Sequence, residues 1–166
     1  MAVDKVITVL EQLVEVHEQL IEIATEKRQG IMANDLDVLN RTIKSESKCI
    51  QRLSVLDRDR LAASAQLLNE NGVKPQGGIT LRQLYGVVFD PEQRSRLANL
   101  ELQLKGHLNE LRQRNELNQQ LLRQSIDFVQ FSIELIVPQA DDSYIYKNPT
   151  GYSPDSSQAG IYNKRV

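Results

Sequence analysis

The 166-residue sequence has no tryptophan, one cysteine, two histidines and 5% aromatic residues, so aliphatic side chains must build any core. A single cysteine, Cys49, excludes an intramolecular disulfide framework and a multi-cysteine zinc site, and two histidines are too few for most metal enzymes. A reducing cytoplasm suits such a chain. An excess of charge of one sign is lacking too: 20 Lys+Arg stand against 22 Asp+Glu, for a formal net charge of -2. No strong field is available to gather phosphate backbones or anionic lipid, which argues against nucleic-acid and membrane partners. No run approaches the roughly 18 to 20 apolar residues needed to span a bilayer. The longest apolar-rich stretch, Phe128 to Val137, is broken by Gln130, Ser132 and Glu134. The N-terminus carries Asp4 and Glu11 and no basic-then-apolar signal pattern, so no signal peptide and no direct membrane insertion are expected.

What the sequence does have is helical periodicity. From Val3 to Ile31 apolar residues recur at steps of three and four (Val3, Val6, Leu10, Leu13, then Leu20, Ala24 and Ile31), with His17 on the same stripe. Gly30 weakens the end of this helix, and Asn34, Asp35 and Asp37 supply a cap and first-turn acids for a new start. A short break is expected over Gly30 to Asn34. The second stripe (Leu36, Leu39, Ile43, Ile50, Leu53, Leu56, Leu61, Ala65 and Leu68) stops at Asn71 and Gly72, which tolerate left-handed geometry.

A connector from Val73 to Phe89 follows. It holds Pro75, Gly77 and Gly78, then Thr80 with Gln83 three residues on, a capping box that predicts a short helix through Leu84. Asp90 caps and Pro91 opens a third helix, striped by Leu97, Leu100, Leu104, Leu108, Leu111, Leu122, Val129, Ile133 and Ile136. At a helical rise of 1.5 Å per residue the three long helices span roughly 43, 57 and 70 Å. The predicted fold is all-α: an elongated antiparallel three-helix bundle with coiled-coil-like packing and a short helix in the second connector.

Pro138 closes that pattern and the composition changes. Residues 138–166 hold three prolines, two glycines and few aliphatic residues, too few for a core of their own, yet four of the five tyrosines. The predicted division is a helical bundle domain over 1–137 and a flexible, tyrosine-bearing tail over 138–166. Its acids Asp141, Asp142 and Asp155 balance Lys147, Lys164 and Arg165, so charge does not recruit a partner there. Tyr144, Tyr146, Tyr152 and Tyr162, with large apolar faces and few rotatable bonds, are the candidate anchors.

No phosphate-binding glycine loop, His-Glu-x-x-His or Glu-x-x-His pair is present, so no enzyme, cofactor or metal site is expected. His107 has no metal-ligand partners at the required spacing, and Cys49 reads as a packing residue despite the adjacent Lys48. The polar residues that interrupt the stripes are more informative. If the second and third helices pair antiparallel, position i of the second lies opposite roughly 163 minus i, and opposite 64 minus i of the first. His17, Glu46, Ser47, Asn115 and Asn118 then form one polar layer of the kind that fixes register in a coiled coil. The alternative is that several of them reach solvent.

The run Asn115-Glu-Leu-Asn118-Gln-Gln-Leu121-Leu122-Arg-Gln-Ser125-Ile126-Asp-Phe128 resembles the signature of the FlgN family of flagellar export chaperones. Lys27, Ile31, Asp35, Leu39, Glu46, Ile50, Leu53, Leu56, Asp57 and Arg60 stand at the spacing that family shows across its first two helices. The resemblance covers roughly Val3 to Val137, and Gly30 departs from it where small helix formers are usual. It implies a cytosolic chaperone that binds hook-associated proteins, prevents their premature assembly and delivers them to the flagellar type III export gate or export ATPase complex.

Physical reasoning places the partner contact at the end of the third helix. Ile126, Phe128, Val129, Phe131, Ile133, Leu135, Ile136 and Val137 set apolar groups on more than one face, more than a single seam requires. Such a surface can capture an amphipathic helix. The competing explanation is that the extra face packs on the first helix or on the connector around Tyr85 and Phe89. A second functional class, a scaffolding coiled coil that forms homo-oligomers through the same surface, uses the same residues.

Overall fold

The computed structural model describes residues 1–74 and 78–136. Among them the chain is all-α, with four helices: α1 Ala2–Ala33, α2 Leu36–Glu70, α3 Leu81–Tyr85 and α4 Pro91–Ile136. It divides into two compact units, Met1–Val129 and Gln130–Val166. Residues 137–166, with Tyr144, Tyr146, Tyr152 and Tyr162, lie outside the described residues.

The first turn is tighter than the expected break. α1 continues through Gly30 to Ala33, and the reversal is confined to Asn34 and Asp35. Asn34 takes the left-handed conformation (φ 52°), its N–H donating to Ile31 O, while the Asp35 N–H reaches Gly30 O at 2.9 Å. The Asp35 carboxylate then accepts from the backbone N–H groups of Asp37 and Val38, each at 3.0 Å, and starts α2. Gly30 is required by the close approach of the returning chain: a Cβ there would stand 2.9 Å from Val38 Cγ1. At the far end of α2, Gly72 has φ 72°, and Val73 N–H bonds back to Leu68 O. Thr80 N–H donates to Gln83 Oε1 at 3.0 Å to open α3, and Asp90 accepts from Glu92 N–H at 3.0 Å to open α4.

Within the first unit, α1 and α2 form an antiparallel hairpin that packs closely along its length. The pairs Lys5 with Gln66, Glu15 with Arg52, Gln19 with Cys49 and Glu26 with Arg41 set the register, with residue numbers summing to about 69. The expected sum of 64 was too small because α1 runs on past Gly30. α4 lies along α1 in the same direction, joined by Gln93 to Asp4, Arg96 to Glu11, Arg114 to Thr25 and Asn118 to Ala24 O. The polar links between long helices named here all have α1 as one partner.

The core is richest where α1 begins, α2 ends and α3 crosses: Val6, Ile7, Leu10, Leu68, Val88 and Leu97 are among its most deeply buried large side chains. α1 buries Ile7, Val14 and Val16 beyond its predicted stripe, because more than one helix covers it. α2 departs from expectation in the other direction. Its closest face against α1 is Thr42, Cys49, Leu56 and Ala63, at steps of seven, whereas Leu36, Ile43, Ile50 and Leu61, predicted to be core, are 72%, 50%, 57% and 38% exposed. On α4 likewise Leu108 and Leu122 are 52% and 41% exposed. The seam between α2 and α4, which the sequence pattern closes, stands open.

Candidate partner-binding surface

The last turns of α4 are apolar and solvent-facing. Ile126, Phe128 and Val129 are exposed in the first unit; Phe131, Ile133, Leu135 and Ile136 are exposed in the second. By helical spacing Ile126 and Val129 share one face within the first unit, and within the second Ile133 and Ile136 share one face and Phe131 and Leu135 another. Phe128 and Val129 also border a hollow of about 530 Å³ with Ile31, Met32, Leu36 and Leu121 at the α1–α2 turn.

Of the five polar-layer residues, the structure brings three together. Glu46 accepts from Lys27 Nζ at 2.9 Å, both being about a quarter exposed, and with Asn115 and Asn118 they line a hollow of about 180 Å³. Asn118 is 4% exposed; its Nδ2 donates to Ala24 O at 2.8 Å, and its Oδ1 is buried without a hydrogen-bond partner. His17 lies elsewhere. The five-residue shift in register moves it about 7.5 Å along the hairpin, where it is buried beside Leu13 and Leu53, with Nδ1 2.6 Å from Leu13 O. Ser47 is one residue, hence about 100°, round the helix from Glu46; it is exposed and donates to Ile43 O at 2.9 Å. Lys27, which sequence reasoning named only through the resemblance, supplies the charge that Glu46 needs.

A third hollow, about 360 Å³, opens between α2 and α4 with α1 as its floor. Leu10, Leu13, Leu53, Leu104 and Leu108 line it, and Asp57, Arg60, Glu101 and Lys105 form its rim. Each acid is paired on its own helix, Asp57 with Arg60 at 2.7 Å and Glu101 with Lys105 at 2.6 Å. Tyr85 closes the arrangement from α3, its hydroxyl donating to Glu101 at 2.7 Å. Burial, and then this bond, push the phenol up to about 12, while the bonds from Lys105 and Tyr85 hold the Glu101 carboxyl below its usual range. Cys49 is buried with its Sγ 3.9 Å from Gln19 Oε1.

Among the described residues no group of three or more His, Cys, Asp or Glu side chains could hold a metal ion, and no helix is long and apolar enough to cross a membrane. Comparison with known proteins decides the family: the sequence model of the FlgN protein family matches residues 1–155. The chain belongs to the FlgN family. An uncharacterized protein of Bacillus subtilis (strain 168), YvyG, is 25% identical over 168 residues, covering 100% of both chains. No solved structure matches. Family membership suggests a role in flagellar export, and the matched segment includes both the open α2–α4 seam and the apolar end of α4.

Proposed function

We propose that this chain is a cytoplasmic, non-enzymatic export chaperone that binds hook-associated proteins, prevents their premature assembly and delivers them to the flagellar type III export gate or export ATPase complex. The observation that carries the reading is the end of α4, where seven apolar side chains from Ile126 to Ile136 remain exposed in a chain of the FlgN family. An exposed apolar surface of this kind marks an interaction site. Hook-associated proteins, in this reading, present amphipathic terminal segments before assembly, and exposed apolar side chains of a helix can cover them. The bundle over 1–137 supplies the fold, and the tail over 138–166 supplies tyrosine anchors at Tyr144, Tyr146, Tyr152 and Tyr162. The layer of Lys27, Glu46, Asn115 and Asn118 fixes the register of the three long helices.

Co-expression tests the reading. The chain should copurify with a hook-associated protein and keep it soluble. Replacing Phe128 and Phe131 with Ala should weaken that association by about 2 kcal/mol or more if either ring is an anchor, with helix content unchanged. A scaffolding coiled coil would instead form defined homo-oligomers and ignore the hook-associated protein.

A further inference from the structure

The stripe that α4 turns towards α1 changes chemistry along its length. At steps of three and four it reads Leu97, Leu100, Leu104, His107, Leu111, Arg114, Asn118, Leu121 and Ser125, and each of these is buried or half-buried. Its first members belong to the core, Leu97 and Leu100 being 0% and 8% exposed. From His107 onward polar side chains take four of the six places.

Those polar places hold poorly. Ser125 donates to Leu121 O on its own helix, and Arg114 commits Nε and Nη2 to Glu110, which leaves Nη1 for Thr25 Oγ1 of α1 at 2.6 Å. Asn118 Nδ2 donates to Ala24 O at 2.8 Å, yet Asn118 Oδ1 is buried without a hydrogen-bond partner. His107 is similar: Nδ1 is buried without a partner, and Nε2 stands 3.9 Å from Glu18 Oε1, beyond hydrogen-bond reach. A buried polar atom left unpaired costs at least as much as one made bond returns. The two orphaned atoms therefore offset the two bonds to α1, and water would satisfy both atoms if the helices parted. What remains to hold this part of α4 is Leu104, Leu111 and Leu121, each only half-buried. Gly106 stands where the holding weakens. Glycine inside a helix costs stability, and an added Cβ there would meet nothing within 4 Å, so packing does not require it.

We propose that residues 107–129 of α4 form a hinged arm that swings away from α1 by bending at Gly106, while Leu97 and Leu100 stay anchored in the core. The closed arm is the state described above. Opening hydrates His107 Nδ1 and Asn118 Oδ1 and uncovers Ala24 and Ile31 of α1, which are 1% and 4% exposed beneath the closed arm. Ala24 O is the acceptor of the Asn118 amide, and Ile31 shares a hollow with Asn118. The device belongs to the fold and does not rest on the proposed function.

The test is a pair of distance measurements by double electron–electron resonance in the full chain carrying Cys49→Ala. Spin labels go on cysteines placed at exposed positions: Gln29→Cys with Gln120→Cys reports the arm, and Thr8→Cys with Asn99→Cys reports the anchored end. The arm pair should show two distances, short and long, and the anchored pair one. Asn118→Leu and His107→Leu each remove one orphaned atom and should each lower the ratio of long to short about tenfold. Gly106→Ala should lower it about fivefold by stiffening the helix at the bend. Circular dichroism should show unchanged helix content in all three, and the anchored pair should keep its single distance. One distance at the arm pair, whether short or long, overturns the proposal. So does a ratio that Asn118→Leu and His107→Leu leave unchanged or raise. Two distances at the anchored pair overturn it as well, since α4 would then leave α1 as a whole rather than bend at Gly106.

Discussion

Gly30 sits inside α1 one turn before its end, where glycine costs helix stability of about 1 kcal/mol relative to alanine. On propensity alone Gly30→Ala should therefore stabilise the chain. The hairpin opposes it, because the new Cβ would stand 2.9 Å from Val38 Cγ1 and 3.3 Å from Leu39 Cδ2. Val38 is β-branched and fixed on the first turns of α2 beside the Asp35 cap, so it does not swing away, and overpacking of this kind costs about 1–3 kcal/mol. The net effect predicted for Gly30→Ala is a loss of up to about 2 kcal/mol. Removing the nearest contact should relieve most of this: in a Val38→Ala background, where the Cβ of residue 38 and Leu39 Cδ2 still stand 3.3 Å away, the same substitution should be less costly by about 1 kcal/mol or more. Urea denaturation of the four proteins of this cycle, followed by circular dichroism, gives both values. If Gly30→Ala stabilises equally in both backgrounds, the close approach of α2 to Gly30 is not what selects glycine, and the described geometry of the turn is wrong.

Other substitutions should read the packing independently. Ser64 is fully buried and its hydroxyl has no hydrogen-bond partner, so Ser64→Ala should raise stability by about 1 kcal/mol in urea denaturation; a comparable loss would show that the hydroxyl is bonded. Tyr85→Phe should cost about 1 kcal/mol near neutral pH by removing the bond to Glu101. The phenol is raised to about 12 in the fold against an ordinary 10.0, so its contribution is complete below pH 10 and is lost as pH rises through about 12. Absorbance titration of the native chain should show a phenol ionising near 12 that Tyr85→Phe lacks. Glu101 works in the opposite sense, its lowered carboxyl contributing above the usual carboxylate range and losing that contribution as pH falls through the folded value. Replacing Asp35 with Ala should cost about 1 kcal/mol as two backbone donors of α2 lose their acceptor, and amide exchange at Asp37 and Val38 should quicken if that cap is real.

The helices were legible because each is bounded by local chemistry. Thr80 with Gln83, and Asp90 with Pro91, mark two starts that the structure uses, Asp35 caps α2 one residue after the expected Asn34, and Gly72 marks a stop. Burial was less legible, since a heptad stripe states that a face is apolar without stating that anything covers it. Ile43 and Ile50 continue the pattern of Leu53 as well as any core residue, yet they are 50% and 57% exposed. The polar layer turned on register. Glu46, Asn115 and Asn118 were placed together because the estimate for α2 and α4, 163 minus i, lay within two residues of the observed pairing. His17 was misplaced because the α1–α2 estimate ended α1 too early, and a shift of five residues carries a side chain more than one helical turn. Lys27 and the orphaned Asn118 oxygen depend on three-dimensional neighbours that no single-chain spacing reveals.

The most direct measurement of the central claim is sedimentation velocity of the full chain titrated with a purified, monomeric hook-associated protein under conditions in which that protein assembles alone. The chaperone reading predicts a discrete heavier complex, saturating at a fixed ratio, with hook-associated protein assembly suppressed in proportion to the complex formed. Independent sedimentation of the two proteins, with assembly proceeding unchanged at saturating concentrations of the chain, would contradict it.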